Sequence, residues 1–183
     1  MALTATIYNF DIQLSDVDRG VYETLSLRVA CHPSETEEYL VTRVLAYCLE
    51  YAEGIAFGKG LSEPNEPAIT IRGMSGALSS WIEVGSPDAE RLHRASKASP
   101  RVVVYTHRDG SALVRQLSGT RIHRAESIEI YAVDRALIAA LVARLDRRTR
   151  FDLAVTERHL YVTIEGETID GVVERFSLST SDR

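Results

Sequence analysis

The sequence predicts an α/β fold: a single domain over residues 1–183, with a mixed β-sheet and flanking helices. Three observations point there. Residues 6–14 and 21–30 alternate apolar and polar side chains, the period of half-buried strands. From Arg101 to Leu145, strand-like and helix-like patterns follow one another in series, as in a parallel, right-handed α/β unit. After Phe151 the chain is strand-like again, and 183 residues suffice for one full core.

The elements follow in order. Thr6, Tyr8, Phe10, Ile12 and Leu14 share one strand face, and Val21, Leu25, Leu27 and Val29 face inward from the next strand. Turn residues 15–20 join the two into an N-terminal hairpin. Ser34 and Glu37 have capping-box spacing, which predicts a helix start. Leu40, Val41, Val44, Leu45, Cys48 and Leu49 form its apolar stripe, with Glu35, Glu38 and Thr42 on the flank and Gly54 as the stop. Gly58, Gly60, Pro64 and Pro67 mark 55–67 as a loop with room for a short strand. Residues 68–72 and 77–85 read as a second hairpin. Ser86 as N-cap and Pro87 as first helical residue predict a helix to about Ser99. Arg101–Thr106 is a continuous apolar run, typical of a strand covered on both faces. A short helix follows at 109–117, then a strand around Ile128–Ala132 and a helix capped by Asp134. Strands at 151–155, 160–164 and 172–178 close the chain.

Composition narrows the function classes. No run of apolar residues is long enough to span a membrane, and no secretory leader is visible, so a cytoplasmic protein is expected. Cys31 and Cys48 lack metal-site or disulfide-framework spacing. The net charge of −5 hides an uneven distribution. Residues 1–90 carry 5 Arg/Lys against 14 Asp/Glu, residues 91–150 carry 13 against 5, and residues 151–183 carry 3 against 7. A basic middle is either the solvated face of surface helices or a patch for DNA or RNA.

The chemistry centres on 78–88, where an apolar strand ends in Glu83 and turns at once into a helix. Trp81, Glu83 and Gly85 share a face, and a carboxylate there is costly to bury without a partner. Phosphate-loop, dinucleotide, HExxH and GxSxG motifs are absent. Helix, hairpin, helix and buried strand, with Glu35 or Glu38, Glu66 and Glu83 placed along them, is the layout of a PD-(D/E)xK nuclease core. In that layout Glu66 and Glu83 hold Mg²⁺ or Mn²⁺, and Glu38 or Glu35 supports them. Gly85 stands where the motif lysine belongs, leaving space for Arg94 or Lys97 to act as the base or phosphate contact. The competing structural reading pairs Glu83 with a buried arginine such as Arg43 or Arg72.

His32-Pro33-Ser34-Glu35-Thr36, Glu66-Pro67, Trp81-Ile82-Glu83-Val84-Gly85 and Pro87-Asp88, in that order and spacing, resemble the bacterial YaeQ family over essentially the full length. The resemblance implies a variant PD-(D/E)xK, restriction-endonuclease-like fold. Gly85 belongs to that family pattern, so the resemblance implies the fold more strongly than a reaction. Two functions are expected: a divalent-metal-dependent nuclease, or a catalytically inactive module that binds nucleic acid through residues 91–150 or a transcription-related protein.

Overall fold

The computed structural model describes residues 4–59, 63 and 65–178; Gly60 and Pro64 of the expected loop lie outside them. The chain runs β1 (Thr6–Asp16), β2 (Val21–Cys31), α1 (Glu37–Leu49), β3 (Ile55–Phe57), β4 (Ile69–Arg72) and β5 (Leu78–Val84). It continues with α2 (Ala89–Ala98), β6 (Arg101–Thr106), α3 (Gly110–Leu117), β7 (Glu129–Val133), α4 (Arg135–Ala143), β8 (Arg148–Thr156), β9 (His159–Ile164) and β10 (Glu167–Ser177). A short 3₁₀ turn at Ala125–Ser127 precedes β7.

Among the described residues the strands form one ten-stranded sheet, ordered β2-β1-β8-β9-β10-β7-β6-β5-β4-β3. Strands β1 and β8, β5 and β6, and β6 and β7 pair in parallel; the other neighbours are antiparallel. The expected mixed α/β architecture is therefore present, and the N-terminal hairpin pairs over its whole length, Thr6 opposite Cys31 to Asp16 opposite Val21.

The sheet curls around α1, close to a barrel. One core cluster joins inward side chains of β1, β2 and β8–β10 to those of β4–β6, with Leu40, Val44 and Leu45 of α1 and Leu137, Ile138 and Leu141 of α4 between them. This explains why α1 is buried on nearly every side, Arg43 included, although its sequence shows only one apolar stripe. A second, smaller core lies on the outer face of β5–β7. There Leu92 and Ala95 of α2 and Leu113 and Leu117 of α3 cover Trp81, Val102, Val104 and Ile130. Among the described residues no helix is long and apolar enough to cross a membrane.

Two helix starts differ from the sequence expectation. Thr36, not Ser34, caps α1, its hydroxyl accepting from the Tyr39 N–H at 3.1 Å. The Ser34 hydroxyl lies instead 2.6 Å from His32 Nδ1, inside a turn closed by the Glu35 N–H and the His32 carbonyl. Asp88, not Ser86, caps α2. In both cases the turn preceding the helix uses two more residues than the spacing implies, so a later residue of capping chemistry takes the position. Asp134 caps α4 as expected, and Asp109, the expected first residue of the short helix, is the N-cap of α3.

Candidate functional site

Strand β5 is covered on both faces, by α1 on one and α2 on the other. Its last residues deliver Glu83 to the carboxyl edge of the sheet, where ligand sites of α/β sheets form. Gly85 then turns the chain with φ +96°, a conformation that favours glycine, and its N–H is held by the Tyr105 carbonyl at 2.9 Å. A Cβ there would make ordinary contact with the Tyr39 ring, 3.6 Å away. Backbone geometry at the strand-to-helix turn thus accounts for the glycine, and the Tyr39 ring lies beside it.

Glu83 is 4% exposed. Trp81 Nε1 donates to Glu83 Oε1 at 2.5 Å, and Arg91 Nε donates to Oε2 at 2.8 Å. Arg91 Nη2 also reaches the Glu66 carbonyl at 2.7 Å, tying the segment before β4 to β5. Burial pushes the Glu83 carboxyl above its ordinary range, with Arg91 and Trp81 opposing the shift. The charge partner is therefore neither Arg43 nor Arg72. Arg43, 2% exposed, lies 3.8 Å from Glu35 Oε2, donates to the Ala30 and Gly58 carbonyls and stacks over Phe57. Arg72 donates to the Gly76 carbonyl.

The other residues singled out by the sequence have contacts of their own. Arg94 and Lys97 are exposed on α2; Arg94 Nη1 donates to Asn65 Oδ1 at 3.1 Å, and its charge is felt at Glu83. Glu66 meets Arg91 through its backbone, Glu38 is exposed, and Glu35 faces Arg43. Among the described residues no group of three or more His, Cys, Asp or Glu side chains is placed to hold a metal ion.

A cleft of about 520 Å³ opens at this edge. Its walls are Ser34, Thr36 and Tyr39 at the start of α1, Ala68, the 83–88 turn with Arg91, and His107 and Arg108 after β6. Burial and the Arg91 and Arg43 charges act in opposite senses on Tyr39, and burial wins, raising its hydroxyl to about 12. His107 is pushed below its usual range, first by burial and then by the Arg108 charge, so it is neutral at physiological pH.

At the other end of α1 a second cavity of about 390 Å³ lies beside Glu50, Arg101, Tyr105 and Tyr131. Arg101 bridges Glu50 at 2.6 Å and Glu129 at 2.7 Å, while the Tyr105 and Tyr131 hydroxyls donate to the same two carboxylates. Both carboxylates of this network are therefore paired.

Sequence reasoning overlooked Arg91 and Tyr39. A signal for Arg91 exists: it is the third residue after the Asp88 cap, in a first helical turn, where a cation opposes the helix dipole unless an anion holds it. Tyr39 gives no such signal, because only the curl of the sheet brings the start of α1 over the end of β5.

Comparison with known proteins places this geometry in a family. The family model described as YaeQ protein matches residues 1–172. The YaeQ protein of Escherichia coli K12 is 28% identical over 172 residues, covering 93% of this chain and 94% of the relative. That of Salmonella typhi is 27% identical over 164 residues, covering 89% and 91%. The crystal structure of YaeQ protein from Pseudomonas syringae superposes with a TM-score of 0.85 at 31% identity, covering 94% of this chain and 96% of that one. The structure from Xanthomonas axonopodis pv. citri gives 0.80 at 28% identity, covering 96% and 100%. The chain belongs to the YaeQ family.

Proposed function

We propose that the chain is a nucleic-acid-binding module built on a PD-(D/E)xK nuclease-like frame, and that it binds without cutting. The observation that carries this reading is the state of Glu83: Trp81 and Arg91 occupy both carboxylate oxygens. The acid that the nuclease layout assigns to a metal thus anchors the chain internally.

Two further features support the reading. In this reading α1, the antiparallel strands β3–β5, α2, and β6 parallel to β5 stand for the core elements of that frame. Exposed Arg94 and Lys97 on α2, Arg115 on α3 and Arg121 after it add positive charge to this side, the kind of charge that binds a phosphate backbone.

The test is a gel shift with single- and double-stranded DNA and RNA at low and at physiological salt, with and without Mg²⁺. The expected result is binding that weakens steeply with salt and leaves the nucleic acid intact. Metal-dependent cleavage that disappears in Glu83→Gln would overturn the reading in favour of a nuclease. Absence of binding to every nucleic acid at low salt would leave a protein partner as the ligand.

A further inference from the structure

The two edges of the sheet are built differently. One is β3, three residues long and too short to template another strand. The other is β2, which runs for 11 residues from Val21 to Cys31 in unbroken register on β1, without a proline. Among the described residues, β1 is the only element on which β2 packs extensively. An uncovered edge of that length is the kind that pairs with a further strand.

The pairing fixes which backbone groups are available. The Asn9 N–H donates to the Arg147 carbonyl at 2.8 Å, so the Asn9 backbone faces β8. Arg28, opposite Asn9, therefore turns its own N–H and carbonyl away from β1, and by alternation so do Tyr22, Thr24, Ser26 and Ala30. The Ala30 carbonyl agrees with this parity, since it accepts from Arg43 Nη1 at 3.4 Å. Arg43 also donates to the carbonyl of Gly58, just beyond β3, and so ties the last part of one edge to the other. Tyr22, Thr24, Ser26 and Arg28 have no such cover among the described residues, and all four are exposed.

These four residues complement themselves. An antiparallel copy of β2 on a two-fold axis at Leu25 sets Thr24 opposite Ser26 of the second copy, and Tyr22 opposite Arg28 of the second copy. Every outward backbone group from Tyr22 to Arg28 then meets its complement, and Ala30, held by Arg43, is not needed. The neighbouring registers put Arg28 opposite Gly20 in the turn, or Tyr22 opposite Ala30. The register at Leu25 also places a guanidinium beside an exposed tyrosine ring twice and opposes no two like charges. We propose that the chain pairs with a second copy of itself through the β2 edge, antiparallel and centred on Leu25, joining two sheets into one. A contact of one strand pair is at the small end of specific interfaces, so the dimer is reversible and forms at high protein concentration. This inference does not depend on the nucleic-acid reading.

The test is sedimentation equilibrium of the full chain from about 1 μM to about 1 mM, the range in which a small interface dissociates. The mass should rise from 20.3 kDa towards twice that value. Amide hydrogen exchange, followed by NMR at both ends of the range, locates the contact. The N–H groups of Tyr22, Thr24, Ser26 and Arg28 should exchange about tenfold more slowly once about a tenth of the chain remains monomeric. The double variant Thr24→Lys/Ser26→Lys sets like charges opposite one another at exposed positions, and should stay monomeric with an unchanged far-UV circular dichroism spectrum. Ser26→Pro removes an outward N–H that β1 does not use, and should act likewise. A monomer at every concentration would overturn the proposal and leave the edge to an extended segment of another protein. A dimer that survives both variants, or that leaves these four N–H groups unprotected, would refute it in favour of another face. Protection that is independent of concentration in a 20.3 kDa species would also refute it, giving the edge to another part of the same chain.

Discussion

At the scale of single residues, Arg91 and Glu83 hold each other in places neither would occupy alone. Arg91 sits in a first helical turn, and Glu83 is a buried carboxylate at the end of an apolar strand. Arg91→Ala strands that carboxylate. The expected loss is about 3 kcal/mol, at the low end for breaking a buried pair because Arg91 is 21% exposed. Urea denaturation measures it. The double variant Glu83→Gln/Arg91→Met should recover most of the loss, since an amide keeps the Trp81 bond without a charge to compensate. An additive double variant would show that the two residues do not act as a pair. Glu83 was legible in the sequence because a charge inside an apolar run stands out. Its partner was not: the helix start at Asp88 rather than Ser86 decides which residue of the first turn of α2 faces the end of β5.

At the scale of elements, the caps decide where helices begin, and they can be separated experimentally. Thr36 satisfies the Tyr39 N–H, whereas the Ser34 side chain contacts only the His32 ring and its own turn. Thr36→Ala is expected to cost about 1 kcal/mol in thermal or urea unfolding. Ser34→Ala should stay within about 0.5 kcal/mol, the range for surface changes outside such features. Equal costs would restore Ser34 as the cap. Strand identity was readable throughout, from alternation in β1 and β2 and from the continuous apolar run of β6. The ends were less so: β10 begins at Glu167, five residues before the apolar pattern of 172–178. Its first part pairs with β9 through backbone bonds that polar residues make equally well.

At the scale of the molecule, the curled sheet makes one structural unit of two halves. Leu45, fully buried on α1, belongs to the cluster joining β1, β2 and β8–β10 to β4–β6. Leu45→Ala should cost about 2–5 kcal/mol. Trp81, the single tryptophan, lies in the other, outer core. Its fluorescence and the far-UV circular dichroism should nevertheless shift to the same lowered midpoint, as cooperative unfolding requires. Separate midpoints would mean that the two halves unfold independently.

The sequence alone determined the fold class, the N-terminal hairpin, the serial α/β middle, the basic α2–α3 segment and the importance of Glu83. Periodicity, turn chemistry and charge are local properties, and these features follow from them. Only the tertiary structure decided which arginine faces Glu83 and that the Tyr39 ring lies against Gly85. Those outcomes depend on how far the sheet curls around α1. The pairing of β7 with β10 and of β1 with β8 sets that curl, between strands far apart in the chain. No local pattern records such a pairing, so the strand end at Glu83 could be found from the sequence while its neighbours could not.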